Sequence, residues 1–336
     1  MGAVTHAPHA EVPDRPDEHG RQERGVASPP DAVLVVHGGA GARRSSGDGR
    51  SDAELRGALE LAIDAGWRQL GAGAEAACVA AVCVLEDCPL FNAGIGSALA
   101  ADAGVWCDAT LMSAEGHAGA VAAVQGIRHP ILAAQALAHA EAGPLLWAGR
   151  STELAALHDV ELIHPELMVT ERQRRRLDAH RARRGMREST ARDGGDRAGT
   201  VGAVCLDATG RLAAATSTGG FCGKAPARVG DSAIFGAGTW AHPLTCAVSA
   251  TGEGEPFLRV LFAHQIHAHM LHANQDLATA ASGALAAVRD AGGRGGAICI
   301  DAHGVIATPV SSDIMYRASR RTGQRTYTAL GGPTAR

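Results

Sequence analysis

Thr200 stands at an abrupt boundary. A polar, arginine-rich segment ends at Gly199, and an apolar run, Thr200-Val201-Gly202-Ala203-Val204, begins. A threonine there is ordinarily a β-branched strand residue. Its other reading is chemical. A cut between Gly199 and Thr200 would leave a free α-amine beside the Thr200 hydroxyl. A threonine hydroxyl needs an adjacent base, and an α-amine with an unperturbed pKa of about 7.7–8.0 suits that task at neutral pH. Gly199 has no side chain to obstruct attack by Thr200 on its carbonyl. Downstream, Arg228 and Asp231 lie three residues apart on a glycine-containing stretch. Such a pair is either a surface ion pair or a grip on the two ends of an amino-acid headgroup. Thr251-Gly252 precedes a helix start at Pro256. It is either a glycine-rich turn or a backbone N–H and a hydroxyl that bind an oxyanion. Asn92, in an Asn-Ala-Gly loop, is a turn residue or a side chain that orients a reacting bond.

The elements that must position these residues can be read from pattern. Val33–Val36 predicts a buried strand, followed by His37–Gly41 as a loop. Ser51 and Glu54 form a capping box before apolar residues at helical spacing. A second helix is predicted over about 74–86, and a turn-rich stretch over 87–96. Pro130 starts another helix that Gly143 is placed to end. Residues 171–199 carry ten arginines and, beyond alanine, only Leu177 and Met186 as apolar residues, so they read as a flexible linker. Val201–Leu206 with Leu212–Thr216, and Ala297–Ile300 with Val305–Pro309, read as hairpins around glycine-containing turns. Thr245–Ser249 reads as a strand, and helices follow from Pro256 to about Leu271 and over about 277–289. Strands grouped with strands and helices paired with helices argue for stacked layers. Near-continuous apolar strands argue for sheets covered on both faces. The expectation is an α+β fold, two antiparallel sheets between two helical layers.

Composition excludes several classes. The chain has 336 residues and a net charge of −4, which gives no field for nucleic acid. Its one lysine, Lys224, stands against thirty arginines, a compositional bias. The arginine-rich segment also holds five acids and no aromatics, which argues against a nucleic-acid arm. The eight cysteines form no CxxC pair and read as small buried residues of a reducing compartment. Neither a signal-peptide pattern nor a membrane-length apolar run is visible, so a cytoplasmic protein is expected. Residues 1–30 are polar and read as a disordered tail, and 321–336 as a C-terminal tail, around a single domain over 31–320.

Six segments in order resemble the plant-type asparaginase / isoaspartyl peptidase family: His37–Gly41, Leu85–Gly96, Gly199–Val204, Thr216–Gly220, Arg228–Ser232 and Thr251–Glu255. The resemblance spans about 33–318. It implies a four-layer αββα N-terminal-nucleophile hydrolase that cleaves itself between Gly199 and Thr200 into chains 1–199 and 200–336. It implies hydrolysis of L-asparagine and β-aspartyl dipeptides through a Thr200 acyl-enzyme. It further implies that Thr218 tunes the nucleophile, Thr251 and Gly252 bind the oxyanion, and Asn92 acts near the scissile bond. Arg228 would hold the substrate carboxylate, and Asp231 and the Gly254 carbonyl its ammonium. No catalytic cofactor is implied. A structural Na⁺ is, held by the backbone carbonyls of Leu85, Glu86, Cys88, Phe91, Ala93 and Ile95, as is a dimer of αβ heterodimers. Ala227 and Ala233 depart from the family's usual glycine and proline beside the clamp, which bears on substrate preference. Gly199 and Glu253 stand where glycosylasparaginases usually carry aspartate. A nucleotide-binding reading of His37–Gly41 lacks a Walker lysine or GxGxxG context. A non-catalytic binding protein would not need Thr200, Thr218, Thr251, Arg228 and Asp231 together.

Overall fold

Strand β1 (Val33–Gly41) shows why the chain stacks in layers. Leu34 and Val36 enter one buried cluster, while Val33 and Val35 enter another. Alternate residues therefore bury on opposite faces, which is why the run is continuously apolar. β5 (Val201–Leu206) does the same: Val201, Ala203 and Cys205 face the first cluster, and Val204 and Leu206 the second. In β8 (Cys246–Gly252), Cys246, Val248 and Ala250 face a third cluster, and Ala247 the second.

The computed structural model describes residues 31–42, 49–185 and 199–332. One sheet combines β1 and β5 with β2 (Cys107–Ser113), β3 (Ala118–Val124), β4 (Leu146–Ala148), β6 (Leu212–Thr218), β11 (Ile314–Arg321) and β12 (Tyr327–Ala329). Their order is β12-β11-β1-β5-β6-β2-β3-β4. The other sheet orders β10 (Ile306–Ala307), β9 (Gly295–Asp301), β8 and β7 (Thr239–Ala241). Pairing is antiparallel except between β3 and β4, so the larger sheet has one parallel edge. Helices α1 (Asp52–Arg68), α2 (Ala74–Asp87) and α3 (Pro130–Ala138) cover the larger sheet. After α4 (Ser151–His158) and α5 (Glu171–Gly185), helices α6 (Gly254–Val260), α7 (Phe262–Ala273) and α8 (Leu277–Asp290) belong to the other half, with α7 and α8 packed on the smaller sheet. The three apolar clusters fill the three gaps of this four-layer αββα sandwich.

Several expectations change. His37–Gly41 is not a loop but the end of β1, with a bulge between His37 and Gly39. The bulge lets the Phe91 ring press on Gly38, where any Cβ would collide with it. Residues 171–185 of the expected linker form α5, with Gln173 and Leu177 buried. The rest of that segment, 186–198, and the tail over 1–30 lie outside the described residues. The expected C-terminal tail supplies β12, which pairs with β11 through Arg317–Ala329 and Ser319–Tyr327. Helix α3 ends at Ala138, before Gly143. The helix expected from Pro256 begins at Gly254 and breaks at Leu261, whose φ is 48°. The capping box at Ser51 and Glu54 forms as expected.

Candidate active site

Four chain segments meet at one edge of the sandwich: the end of β1, the start of β5, the end of β6 and the end of β8. The Thr251 hydroxyl joins three of them. Its oxygen accepts the Ala40 N–H at 3.0 Å and the Thr200 N–H at 3.1 Å. Thr200 is buried just before β5, and its hydroxyl lies 3.4 Å from that of Ser232. The Gly199 carbonyl accepts the Asn92 side-chain N–H at 2.7 Å. Asn92 is itself fixed, donating to the Gly220 carbonyl and accepting the Ala98 N–H at 2.6 Å each. The Gly199–Thr200 peptide is therefore held at its carbonyl by Asn92 and at its nitrogen by Thr251.

Close backbone packing explains the glycines here. A Cβ on Gly39 would lie 2.8 Å from the Gly199 Cα, and a Cβ on Gly199 would strike Gly39 in turn. Gly39 also has a φ of 111°, in the region that favours glycine. Gly199 is thus required by its approach to β1, beyond leaving its carbonyl open to Thr200.

Beside Thr200 a cleft is lined by Thr218, Gly220, Phe221, Arg228, Asp231, Gly252, Glu253, Gly254 and Glu255. The Arg228 guanidinium stacks over Phe221 at 4.9 Å and bonds Glu255 Oε1 through Nε and Nη2 at 3.0 and 2.7 Å. Its ion-pair partner is Glu255, not Asp231. Asp231 is buried, and its Oδ2 has no hydrogen-bond partner. Burial pushes its pKa up to about 7, against the opposing pull of Arg228. A Cβ on Gly254 would meet Asp231 Oδ1 at 2.7 Å and Arg228 Nη2 at 2.8 Å, so only glycine lets these two charges converge there. A cation paired with half-exposed Glu255 and a carboxylate with one unbonded oxygen, around one space, can receive a carboxylate and an ammonium.

A match to the family model described as asparaginase extends over residues 30–330. The chain belongs to the asparaginase family. The "Isoaspartyl peptidase" of Escherichia coli (strain K12) is 38% identical over 307 residues, covering 89% of this chain and 96% of that protein. The "Isoaspartyl peptidase/L-asparaginase" of Bos taurus is 37% identical over 296 residues, covering 87% and 94%. The protein of that same name from Homo sapiens is 40% identical over 230 residues, covering 68% and 73%.

Within this asparaginase-family site, Thr218 and Gly252 take positions that spacing did not specify. The Thr218 hydroxyl accepts the Gly220 N–H at 3.0 Å and is not bonded to Thr200. It shapes the turn whose carbonyl receives Asn92. Gly252 ends β8 with a φ of 152°, packed against Gly295. His37, buried beneath the site, bonds the Ser249 hydroxyl at 2.9 Å, and Ser249 bonds Thr216 at 2.7 Å. Burial lowers the His37 pKa to about 3, outweighing the opposing effect of the Thr200 backbone, so the ring is neutral.

Sequence reading missed three supporting residues. Ser232 reaches Thr200, and only its place beside Asp231 in the clamp motif hinted at that. Asp108, on β2, accepts the Gly230 N–H at 3.0 Å and the Ala123 N–H at 2.8 Å, anchoring the clamp loop from below. Lys224, read as compositional bias, is 1% exposed and donates to the Trp106 carbonyl at 2.7 Å. Burial lowers its pKa, and Asp108 is the largest opposing influence.

Residues 85–96, the last turn of α2 and the turns after it, form a tight carbonyl-rich segment. The Leu85, Glu86 and Cys88 carbonyls each accept one N–H, from Cys88, Ile95 and Phe91 respectively. A Cβ on Gly96 would sit 2.8 Å from both the Phe91 and Pro89 carbonyl oxygens, and one on Gly94 would collide with that of Glu86. A carbonyl has two acceptor lone pairs, so oxygens crowded this closely retain capacity for a hard cation such as Na⁺. Backbone carbonyls such as those of Leu85, Glu86, Cys88 and Phe91 are the hard oxygen donors such an ion takes.

Proposed function

We propose that this chain cuts itself between Gly199 and Thr200, and that the matured protein hydrolyses the side-chain amide of L-asparagine and of β-aspartyl dipeptides. The observation that carries this reading is the Gly199–Thr200 peptide held between Asn92 and Thr251, beside a cleft containing Arg228 and Asp231.

In self-cleavage, the Thr200 hydroxyl attacks the Gly199 carbonyl and the acyl group passes from nitrogen to oxygen. That shift breaks the C–N bond and frees the Thr200 α-amine; water then hydrolyses the ester, releasing the Gly199 carboxylate and the Thr200 hydroxyl. Asn92 supplies a donor to the carbonyl oxygen as it gains charge. Once freed, the amine remains beside Thr251 and serves as the base for its own hydroxyl. Substrate docks with its α-carboxylate on Arg228, displacing Glu255, and its α-ammonium on Asp231 and the Gly254 carbonyl. Thr200 attacks the β-carbonyl, ammonia or an amino acid leaves, and water releases aspartate. Asn92, Thr251 and Gly252 surround the carbonyl oxygen during both steps. The match of 38% identity to a bacterial protein named isoaspartyl peptidase supports this choice of substrates.

Na⁺ on the carbonyls of Leu85, Glu86, Cys88, Phe91, Ala93 and Ile95 would fix the loop that carries Asn92. A dimer of αβ heterodimers and a cytoplasmic location complete the proposal. Among the described residues no helix is long and apolar enough to cross a membrane.

The test is intact mass over time, together with ammonia release from asparagine and aspartate release from a β-aspartyl dipeptide. Wild type should give fragments 1–199 and 200–336 and turn over both substrates. Thr200→Ala should stay one chain and do neither. An active wild type that remains uncut would rule out the α-amine as base.

A further inference from the structure

We propose that Cys83, Glu86 and His129 form a binding site for a divalent cation of the zinc class, separate from the active site and adjoining the carbonyl loop, with which it shares Glu86: the side chain here, the backbone carbonyl there. Cys83 and Glu86 are one turn apart on α2, so they share a face. His129 is the N-cap residue of α3. The Cys83 Sγ, a Glu86 carboxylate oxygen and a His129 ring nitrogen all lie within 4.8 Å of one another.

Two of these atoms face each other as an ion pair, with Ser217 also acting on the carboxylate. Glu86 Oε2 and His129 Nδ1 are buried and make no well-aligned hydrogen bond. They stand 3.3 Å apart, and the Glu86 side chain has no exposed surface. Ligands about 2.0 Å from a tetrahedral zinc are separated by roughly 3.3 Å, so this spacing matches an edge of such a site. The other Glu86 oxygen is committed, accepting the Ile131 N–H at 3.1 Å, which fixes the carboxylate with Oε2 turned toward His129. On the far side of the imidazole, His129 Nε2 faces Asp87 Oδ1 at 3.6 Å. Glu86 on Nδ1 and Asp87 on Nε2 both favour a protonated ring, so an ion entering here displaces the Nδ1 proton as well as the thiol proton. Cys83 is half-buried, which gives an ion a route in.

The donor set decides the ligand class. One sulfur, one nitrogen and one carboxylate oxygen select a borderline ion such as Zn²⁺ or Co²⁺ over Mg²⁺ or Ca²⁺. Binding displaces the thiol proton and the His129 Nδ1 proton to solvent, and water takes the fourth position. The ion would tie the end of α2 to the start of α3, at the root of the loop that presents Asn92.

The experiment uses the full chain, stripped with chelator and desalted, then loaded with one equivalent of Zn²⁺ or Co²⁺. Cys83→Ala suits a helix, and His129→Asn supplies a favourable N-cap residue, so both should fold; circular dichroism checks this. The expected result is one retained Zn²⁺ by elemental analysis and a thiolate-to-Co²⁺ charge-transfer band. Zn²⁺ should also protect Cys83 from alkylation, read by peptide mass. Each variant should lose the band and bind Zn²⁺ at least tenfold more weakly. Glu75, His117 and His139 form a second potential ligand cluster but contain no thiol, so ions bound there give no such band. No band in the folded wild type, or a band that survives His129→Asn, overturns the proposal and leaves Glu86 and His129 as a buried ion pair.

Discussion

The Asn92 side chain and the Gly199 carbonyl are 2.7 Å apart, and on the other side of the same peptide Thr251 receives the Thr200 N–H at 3.1 Å. The peptide bond proposed for cleavage is thus hydrogen-bonded both at its carbonyl and at its nitrogen. Asn92 cannot turn away, because Gly220 and Ala98 hold its remaining groups.

Asn92→Ala removes that donor. Losing one oxyanion donor typically costs ~10²–10³ in rate. Maturation of Asn92→Ala, followed by intact mass, should slow on that scale while the chain still folds. Processing at the wild-type rate would move the carbonyl's stabilising donor to another residue.

Gly39→Ala tests the approach of β1 to the scissile segment. The new Cβ would lie 2.8 Å from the Gly199 Cα, at a φ that disfavours any side chain. Strain of this kind costs about 1–3 kcal/mol. In the uncut Thr200→Ala background, Gly39→Ala should lower the thermal midpoint by several degrees. An unchanged midpoint would mean that Gly39 and Gly199 do not touch in solution.

The layers were legible because both sheets are covered on both faces, so strands such as β1 and β5 are continuously apolar. The segments that carry Thr200, Arg228 and Asp231 were legible because each is contiguous in sequence, and the fold brings them to one cleft. Helix α5 was not, because its anchors are polar. Gln173 donates to the Gly96 carbonyl at 2.6 Å, Arg172 to that of Pro89 at 2.8 Å and Arg181 to that of Ala101 at 2.9 Å. With Leu177 as its one buried leucine, such a helix leaves little apolar periodicity to read. Asp108 and Lys224 were missed for a related reason. Their roles come from strands and turns brought together across more than a hundred residues, and neither sits in a recognisable motif.

Asp231 couples stability to function. Its carboxyl has a pKa of about 7 when folded against an ordinary value of 3.8. Below 3.8 both folded and unfolded chains keep the proton. As pH rises toward 7 the unfolded chain loses it first, so the group's relative stabilisation is lost and above 7 the fold carries a buried charge. Asp231→Asn avoids that cost and should be more stable at pH 8 by on the order of 2 kcal/mol, with the difference shrinking toward pH 4. The same variant loses the ammonium partner, so kcat/KM should fall by roughly tenfold to a hundredfold. Denaturant melts at the two pH values check the first part. A variant no more stable at pH 8 than at pH 4, relative to wild type, would show that Asp231 is not held protonated by burial.

Thr251→Val separates positioning of the amine from stabilisation of the oxyanion. The substitution keeps the β-branched shape and deletes only the hydroxyl, whose oxygen accepts both Ala40 and Thr200 N–H groups. The end of β8 should survive, because Thr251 is fully buried and its register with Gly296 is made by backbone. Without the hydroxyl oxygen, the freed α-amine loses its anchor and is held less well against the Thr200 hydroxyl. That defect acts after substrate is bound, so kcat should fall with KM little changed. Maturation should slow as well, so the assay must use protein whose cleaved fraction is measured by mass. The pH profile distinguishes the two roles. If Thr251 holds the amine, Val at this position should shift the pH at which kcat rises, because the amine's surroundings have changed. If it serves only as an oxyanion donor, kcat should fall by the ~10²–10³ typical of such a donor with the profile unmoved. A raised KM with unchanged kcat would exclude both and assign Thr251 to substrate binding.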